Sequence, residues 1–278
     1  MKRRAFISGL TLPWAAAATR VLAQASTAHG APQIGQVSRD SVWVPTPERM
    51  IHRMLQLADT TRGDLVFDLG SGDGRVPIYA ARHFGARAIG VELEANLVRL
   101  SNRSARAQGV AHRVRFVRQD LFEADISRAS VIALYLSPGG MTKLKPRLLA
   151  QKPGTRVVSH QFHLDDWEPD EVVRVEGRTG YLWVVPADVR GAWTIGGAGE
   201  ELRVHIGQKH QMLVTSGERG GRPVNVIGAR LRGNQIGFTS FDRDGASVRY
   251  AGRLVGTALV GQTTADSGLS LRWRGMQT

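Results

Sequence analysis

The run Val66-Phe67-Asp68-Leu69-Gly70-Ser71-Gly72-Asp73-Gly74-Arg75 sets a carboxylate near the end of an apolar stretch, with three glycines on alternate positions beyond it. Glycine lets a backbone turn sharply and lie close against a ligand. A helix opening at the last glycine offers unpaired N–H groups and a partial positive charge to a bound group. This is the chemistry of a nucleotide-type cradle. The order D-x-G-x-G-x-G departs from the G-x-G-x-x-G dinucleotide fingerprint, which puts a nucleotide-dependent oxidoreductase last among the readings. Two more acids extend the pattern. Ala88-Ile89-Gly90-Val91-Glu92 reads as a buried strand ending in Glu92. That acid lies roughly 20 residues past the glycines, where a carboxylate can accept hydrogen bonds from ribose hydroxyls. Glu94 is the weaker candidate for the same work. Arg113 to Phe122 reads as a third strand running out into Asp120. Singly, each acid reads equally well as a helix cap or a surface charge; three at successive strand ends make a site.

The elements that must position them follow from periodicity and punctuation. Thr46-Pro47 before Glu48 reads as an N-cap with proline in the first helical position, and Met50, Ile51, Met54, Leu55 and Ala58 mark one helix face. Further helices are expected at about 75–84, 95–108 and 140–150, and strands at 130–136 and 155–160. The stretches 171–177 and 180–185 alternate like a closing antiparallel pair. The expected fold is α/β: a Rossmann-like, mostly parallel sheet with helices on both faces and ligand beyond the carboxyl ends of its strands. A small all-β domain follows it.

The glycine motif resembles the first motif of the class I S-adenosylmethionine (SAM) methyltransferases. Val44-Pro45-Thr46-Pro47, Leu134-Tyr135-Leu136-Ser137-Pro138, Lys145-Pro146-Arg147-Leu148-Leu149, 152–160 and Asp166-Trp167-Glu168-Pro169-Asp170 narrow the likeness, over about 42–186. Together they resemble one group, containing bacterial proteins and the eukaryotic protein-lysine methyltransferases that act on the mitochondrial ATP synthase c subunit and related targets. The resemblance implies SAM as methyl donor and a lysine amine as acceptor. It implies that Asp68, Gly70, Gly72 and Gly74 hold the methionine end, Glu92 the ribose and Asp120 the adenine, with Thr46, Ser71, Asp73 and Leu121 in the same lining. Tyr135 and Pro138 would frame the acceptor; equally, Tyr135 is a core aromatic and Pro138 only ends the strand. The group's pattern continues L-Y-L-L-P into a polar residue and an asparagine, whereas here Ser137 interrupts the apolar run and Gly139-Gly140-Met141 follow. A lysine acceptor, with an unperturbed pKa near roughly 10.4, must lose its proton first. His160, at a strand end, is the one histidine considered for that task, against the plainer reading of a hydrogen-bonded structural residue; His163 is weaker.

The remainder of the chain bounds the context. Lys2-Arg3-Arg4-Ala5-Phe6, an alanine-rich apolar stretch and Ala23-Gln24-Ala25 form a secretory signal of twin-arginine type over 1–25. This predicts a periplasmic protein; a cytoplasmic or membrane-anchored one is the alternative. Arg20 interrupts the apolar stretch, so no transmembrane span is expected in the mature chain. Export sits awkwardly with a donor made in the cytoplasm and favours a second reading, an idle SAM-fold protein that binds a partner through its β-rich tail. The formal charge is +13, of which +9 remains beyond residue 25. That excess favours anionic partners, but no basic-aromatic stripe points to specific nucleic-acid binding, and a protein substrate is expected instead. The chain has no cysteine, which excludes disulfides and thiolate metal sites. No metal-ligand spacing occurs. A linker over 26–41 leads to the methyltransferase region, 42–188, and 189–278 has a different texture. Of the 32 glycines, 17 fall in 191–275, among short alternating runs parted by Gly220-Gly221, Gly233-Asn234 and Asp244-Gly245. This predicts an antiparallel sandwich or barrel, with Trp193 and Trp273 in its core.

Overall fold

The computed structural model describes residues 44–197 and 200–278. The expected signal segment lies outside the described residues. Four helices, α1 (Glu48–Leu57), α2 (Arg75–Phe84), α3 (Ala95–Ala107) and α4 (Pro138–Leu149), alternate with five strands. These are β1 (Leu65–Leu69), β2 (Arg87–Glu92), β3 (Val114–Arg118), β4 (Val131–Leu134) and β5 (Arg156–His160), closed by the hairpin β6 (Glu171–Val175) and β7 (Arg178–Val184). The sheet order is β3-β2-β1-β4-β5-β7-β6, parallel as far as β5 and antiparallel from there. Order reverses at β1, whose next strand in sequence lies on one side and β4 on the other. A doubly wound sheet opens its ligand crevice at that point.

Alternation along each strand assigns the two faces. Val66, Val131, Ala133 and Val158 pack with apolar residues of α1, α2 and α3. Their neighbours Phe67, Leu69, Ile132, Leu134 and Val157 pack with Met141, Leu144 and Leu148 of α4 and with Ala124, Ile126, Leu164 and Trp167. So the second face is covered by one helix and by chain segments, not by a full helical layer. Two helix starts differ from expectation. Helix α1 begins at Glu48 with Pro47, not Thr46, at its cap and no side-chain cap bond; the Thr46 hydroxyl is instead 3.2 Å from Nδ1 of His160. Helix α4 begins at Pro138, two residues early, because Ser137 caps it by accepting from the Gly140 N–H at 3.4 Å and proline suits the first turn. The same cap ends β4 at Leu134.

Beyond β7 the chain closes an eight-stranded antiparallel barrel. Its strands are β8 (Gly191–Gly196), β9 (Leu202–Lys209), β10 (Met212–Arg219), β11 (Arg222–Arg232), β12 (Gln235–Phe241), β13 (Ser247–Val255), β14 (Ala258–Ala265) and β15 (Ser270–Gln277). The three glycine-bearing turns read from sequence all join successive strands. Two strands alternate poorly: β10 exposes Met212 and Val214, and Gly261 interrupts β14. Trp193, Phe238, Tyr250 and Trp273 fill the interior. Apolar inside and arginine outside is the reverse of a lipid-embedded barrel. Among the described residues no helix is long and apolar enough to cross a membrane.

The barrel is tied to the sheet by polar contacts. Trp183 Nε1 donates to the Trp167 carbonyl at 2.7 Å, and Trp167 Nε1 donates to Oε1 of Gln211, in the β9–β10 turn, at 3.0 Å. Gln211 in turn donates to the Glu168 carbonyl at 2.5 Å. Asp166 sits between Lys145 of α4 at 2.7 Å and Lys209 of β9 at 3.1 Å, whose hydrogen bonds hold its carboxyl well below the usual range. Arg232 meets Glu171 at 2.7 Å.

Candidate active site

Local chemistry builds the cradle between β1 and α2. Gly70, Gly72 and Gly74 have φ of 85°, 55° and 81°, a region that side chains rarely tolerate. The N–H groups of Gly70 and Ser71 both donate to the Val91 carbonyl, folding the loop over the end of β2. Glu92 clamps it: one carboxylate oxygen accepts from the Gly72 N–H at 2.8 Å and the other from the Glu94 N–H at 2.9 Å. Gly74 is tighter still, since a Cβ there would lie 2.6 Å from the Phe116 ring and 2.7 Å from Ser101 Cβ. Asp73 pairs with Arg75 at 2.6 Å, and Arg75 also donates to the Thr46 carbonyl at 3.1 Å, joining the loop to the segment before α1.

These elements surround one cavity of about 490 Å³ beyond the carboxyl ends of β1, β2, β3 and β4. Of the residues expected to hold SAM or frame the acceptor, Thr46, Asp68, Gly70, Ser71, Gly72, Asp73, Glu92, Asp120, Leu121 and Tyr135 line it, as does the weaker candidate Glu94. Two do not. Gly74 sits behind the loop as a packing glycine, and Pro138 occupies the first turn of α4 while Ser137, Gly139 and Gly140 on either side reach the cavity. Residues not anticipated include Asn96, Gln119, Phe122 and Lys143. Lys143 places its ammonium 3.8 Å from the centre of the Phe122 ring. Its spacing of three and four from Gly140 and Gly139 is the signal that could have found it. Phe122 is set by Asp120, whose Oδ1 accepts from the Phe122 N–H at 2.8 Å. Arg147 binds the carbonyls of Leu121, Phe122 and Ala124 and fixes the rest of that loop.

The electrostatics favour a cation. Asp68 is buried beside Glu92 and Asp73, and burial first, then the two neighbouring carboxylates, push its carboxyl up to about 8. Ser71 Oγ is buried with no hydrogen-bond partner among the described residues. A ligand carrying positive charge would answer the clustered carboxylates. SAM, with an ammonium, a sulfonium and a ribose diol, fits such a lining. His160 stands apart from it: fully buried, it lies behind Tyr135 with ring centroids 4.1 Å apart. Burial, followed by the nearby Arg178, lowers it to about 4. It is a structural histidine and does not line the cavity. Tyr135 both stacks on this core and faces the cavity, so the two readings of it coexist.

Comparison with known proteins agrees with this geometry. The ANTKMT methyltransferase domain matches residues 68–171. A protein-lysine N-methyltransferase of Saccharolobus islandicus (strain REY15A) is 42% identical over 149 residues, covering 51% of this chain and 92% of that protein. The adenine nucleotide translocase lysine N-methyltransferase of Mus musculus is 36% identical over 152 residues, covering 54% of this chain and 64% of its own length. A crystal structure described as an RNA methyltransferase from Salinibacter ruber in complex with S-adenosyl-L-homocysteine is also similar. It is 50% identical, covers 52% of this chain and 96% of its own, and has a TM-score of 0.52.

Proposed function

This chain belongs to the lysine methyltransferase family that carries the ANTKMT methyltransferase domain, and on that premise we propose that it methylates the side-chain amine of a protein lysine. It is a class I SAM-dependent methyltransferase. Bound SAM supplies an activated methyl group, which leaves the protein to align the acceptor and exclude water. Asp68 and Asp73 beside the glycine loop would hold the methionine end, Glu92 the ribose and Asp120 with Leu121 the adenine. Tyr135 and the backbone from Leu136 to Gly140 frame the acceptor. Gly139 leaves open space there, with nothing within 4 Å of a Cβ built on it, so an extended side chain can enter. The altered 137–141 segment is thus a capped helix start with an open lining. Among the described residues no histidine lines the cavity; desolvation of the incoming amine and the fixed Lys143 cation at the rim both disfavour its protonated form.

The observation that carries this reading is three strand-end acids converging on one cavity, in a chain similar to a lysine methyltransferase over most of that protein's length. RNA is the second acceptor class, favoured by the 50% identical structure from Salinibacter ruber. Tritium transfer from methyl-labelled SAM into protein and RNA fractions separates the two, with Asp68→Ala as the blank. Label in protein that digests to methyl-lysine supports the proposal; label confined to RNA replaces it. We further propose 42–188 as the methyltransferase domain, 189–278 as its C-terminal domain, and periplasmic export through the twin-arginine signal in 1–25. Cell fractionation with Arg3→Lys and Arg4→Lys together tests export: retention in the cytoplasm is expected, and unchanged distribution would refute it.

A further inference from the structure

Strands β11 to β15 make up five of the eight staves of the barrel, and they contain seven arginines with neither a carboxylate nor a lysine. Arg232 is engaged by Glu171, at 2.7 Å. Arg230, Arg249, Arg253, Arg272 and Arg274 are exposed, and none has an ion-pair partner among the described residues. Register places four of them on one wall. Arg253 and Arg274 both lie opposite Val260, from either side, and Arg272 lies one row away on β15. Arg249 begins the same outward column on β13 as Arg253. Strand and residue spacings then set neighbouring guanidinium stems about 7–12 Å apart in two dimensions. The opposite side of the barrel is balanced: Arg203 pairs with Glu201 and Glu218 at 3.2 and 3.3 Å.

We propose that this wall docks on an anionic phospholipid bilayer. Uncompensated cationic residues on a solvent-facing sheet cost self-repulsion and are answered by a surface of opposite charge. Two observations select a bilayer over a nucleic acid. The charges form a two-dimensional grid on the convex outer wall, not a groove that could track a single backbone, and no aromatic side chain faces outward among them to stack on bases. Beside them, Val255 and Met276 are 51% and 43% exposed and share one row through Ala258. Apolar side chains next to guanidinium groups suit the headgroup boundary, where basic residues meet phosphates and apolar ones reach the acyl region.

Vesicle co-sedimentation of the full chain tests this, with residues 1–25 present in every sample so that their own membrane affinity is common to all. Binding is expected to vesicles containing one-third phosphatidylglycerol, to fall with added salt, and to be weak on phosphatidylcholine alone. Replacing Arg249, Arg253, Arg272 and Arg274 together by Gln should lower the partition coefficient about a hundredfold or more. Replacing Arg190 and Arg203 by Gln, which are paired with acids, should leave it unchanged. S-adenosylhomocysteine binding and circular dichroism confirm that both variants are folded; should the fourfold variant fail, the pair Arg253→Gln and Arg272→Gln is read instead. The proposal is overturned if the parent does not bind anionic vesicles, if the folded variant binds as the parent does, or if phosphatidylcholine serves equally well. A mixed-sequence oligonucleotide that binds more tightly through the same four arginines would also overturn it, and would assign the wall to nucleic acid.

Discussion

Replacing Asp68 by Asn should make the ligand-free protein more stable and the liganded one much weaker. The carboxyl is 6% exposed, and burial together with Glu92 and Asp73 raises it from 3.8 to about 8. A raised folded-state value means the fold prefers the protonated acid. That preference is fully present below pH 4 and is lost as pH rises through about 8. Four units of displacement correspond to roughly 3–6 kcal/mol once relaxation around a buried group is allowed for. Asp68→Asn keeps the shape of the neutral acid and should remove this loss. The variant and the parent should therefore melt together near pH 4, and the variant should be more stable by about that amount near pH 9. Affinity runs the other way. A cationic ligand selects the ionised carboxylate, so SAM binding by the parent should weaken about tenfold per pH unit below 8. The ligand's own titration is common to both proteins and cancels in their ratio. Calorimetry between pH 6 and 9 should show a parent-to-variant affinity ratio that climbs with pH, and proton release on binding near pH 7 in the parent only. A flat ratio, or a variant that binds as tightly as the parent at pH 9, would refute the reasoning.

Other perturbations separate architecture from chemistry. Gly74→Ala adds a Cβ 2.6 Å from the Phe116 ring at a φ of 81°; about 2–4 kcal/mol of stability should be lost in denaturant titration, although this residue stands behind the lining of the active-site cavity. His160 is lowered from 6.5 to about 4, so stability contributed above pH 6.5 is lost as pH falls towards 4, by roughly 3 kcal/mol. His160→Phe should flatten that acid limb in thermal melts while leaving the pH profile of methyl transfer unchanged; a lost alkaline or neutral activity limb would restore it as a base. Gln211→Leu strips the Trp167 indole N–H of its partner at 3.0 Å and should cost about 1–3 kcal/mol, read as an earlier unfolding transition of the barrel against the sheet. Arg147→Met releases the carbonyls of Leu121, Phe122 and Ala124 and should raise the KM for SAM about tenfold with a smaller change in kcat, since the loop it holds carries the expected adenine contacts.

Strand-end acids are legible because β-strands bury alternate residues and must place a polar one where the backbone leaves the core. Asp68, Glu92 and Asp120 could be named from their recurrence at three successive strands beside the glycine loop. Glycine spacing announced the loop but not its division of labour: Gly70 and Gly72 line the cavity, whereas Gly74 makes room for Phe116, a residue 42 positions away that no local pattern connects to it. Helix-borne lining is harder to read. Asn96 and Lys143 look like ordinary solvent-facing positions until the tertiary fold turns those helix faces towards the cavity. Thr46 matched a cap signature locally, but its hydroxyl meets a histidine 114 residues on, and the tertiary partner won. In the barrel, alternation is least legible in β10, where the exposed side carries Met212 and Val214.

Asp166 is a single carboxylate gripped by two lysines, one from the helix whose first turn lines the cavity and one from the barrel. Trp167 beside it is buried and bonded to the β9–β10 turn. The barrel therefore works as a handle with its grip on α4. A tilt of the barrel is felt at Lys145, two residues along the helix from Lys143, through Asp166, and at Glu168 and Glu171 through Gln211 and Arg232. Whatever fixes the barrel in place also braces the wall against which an acceptor side chain must be aligned.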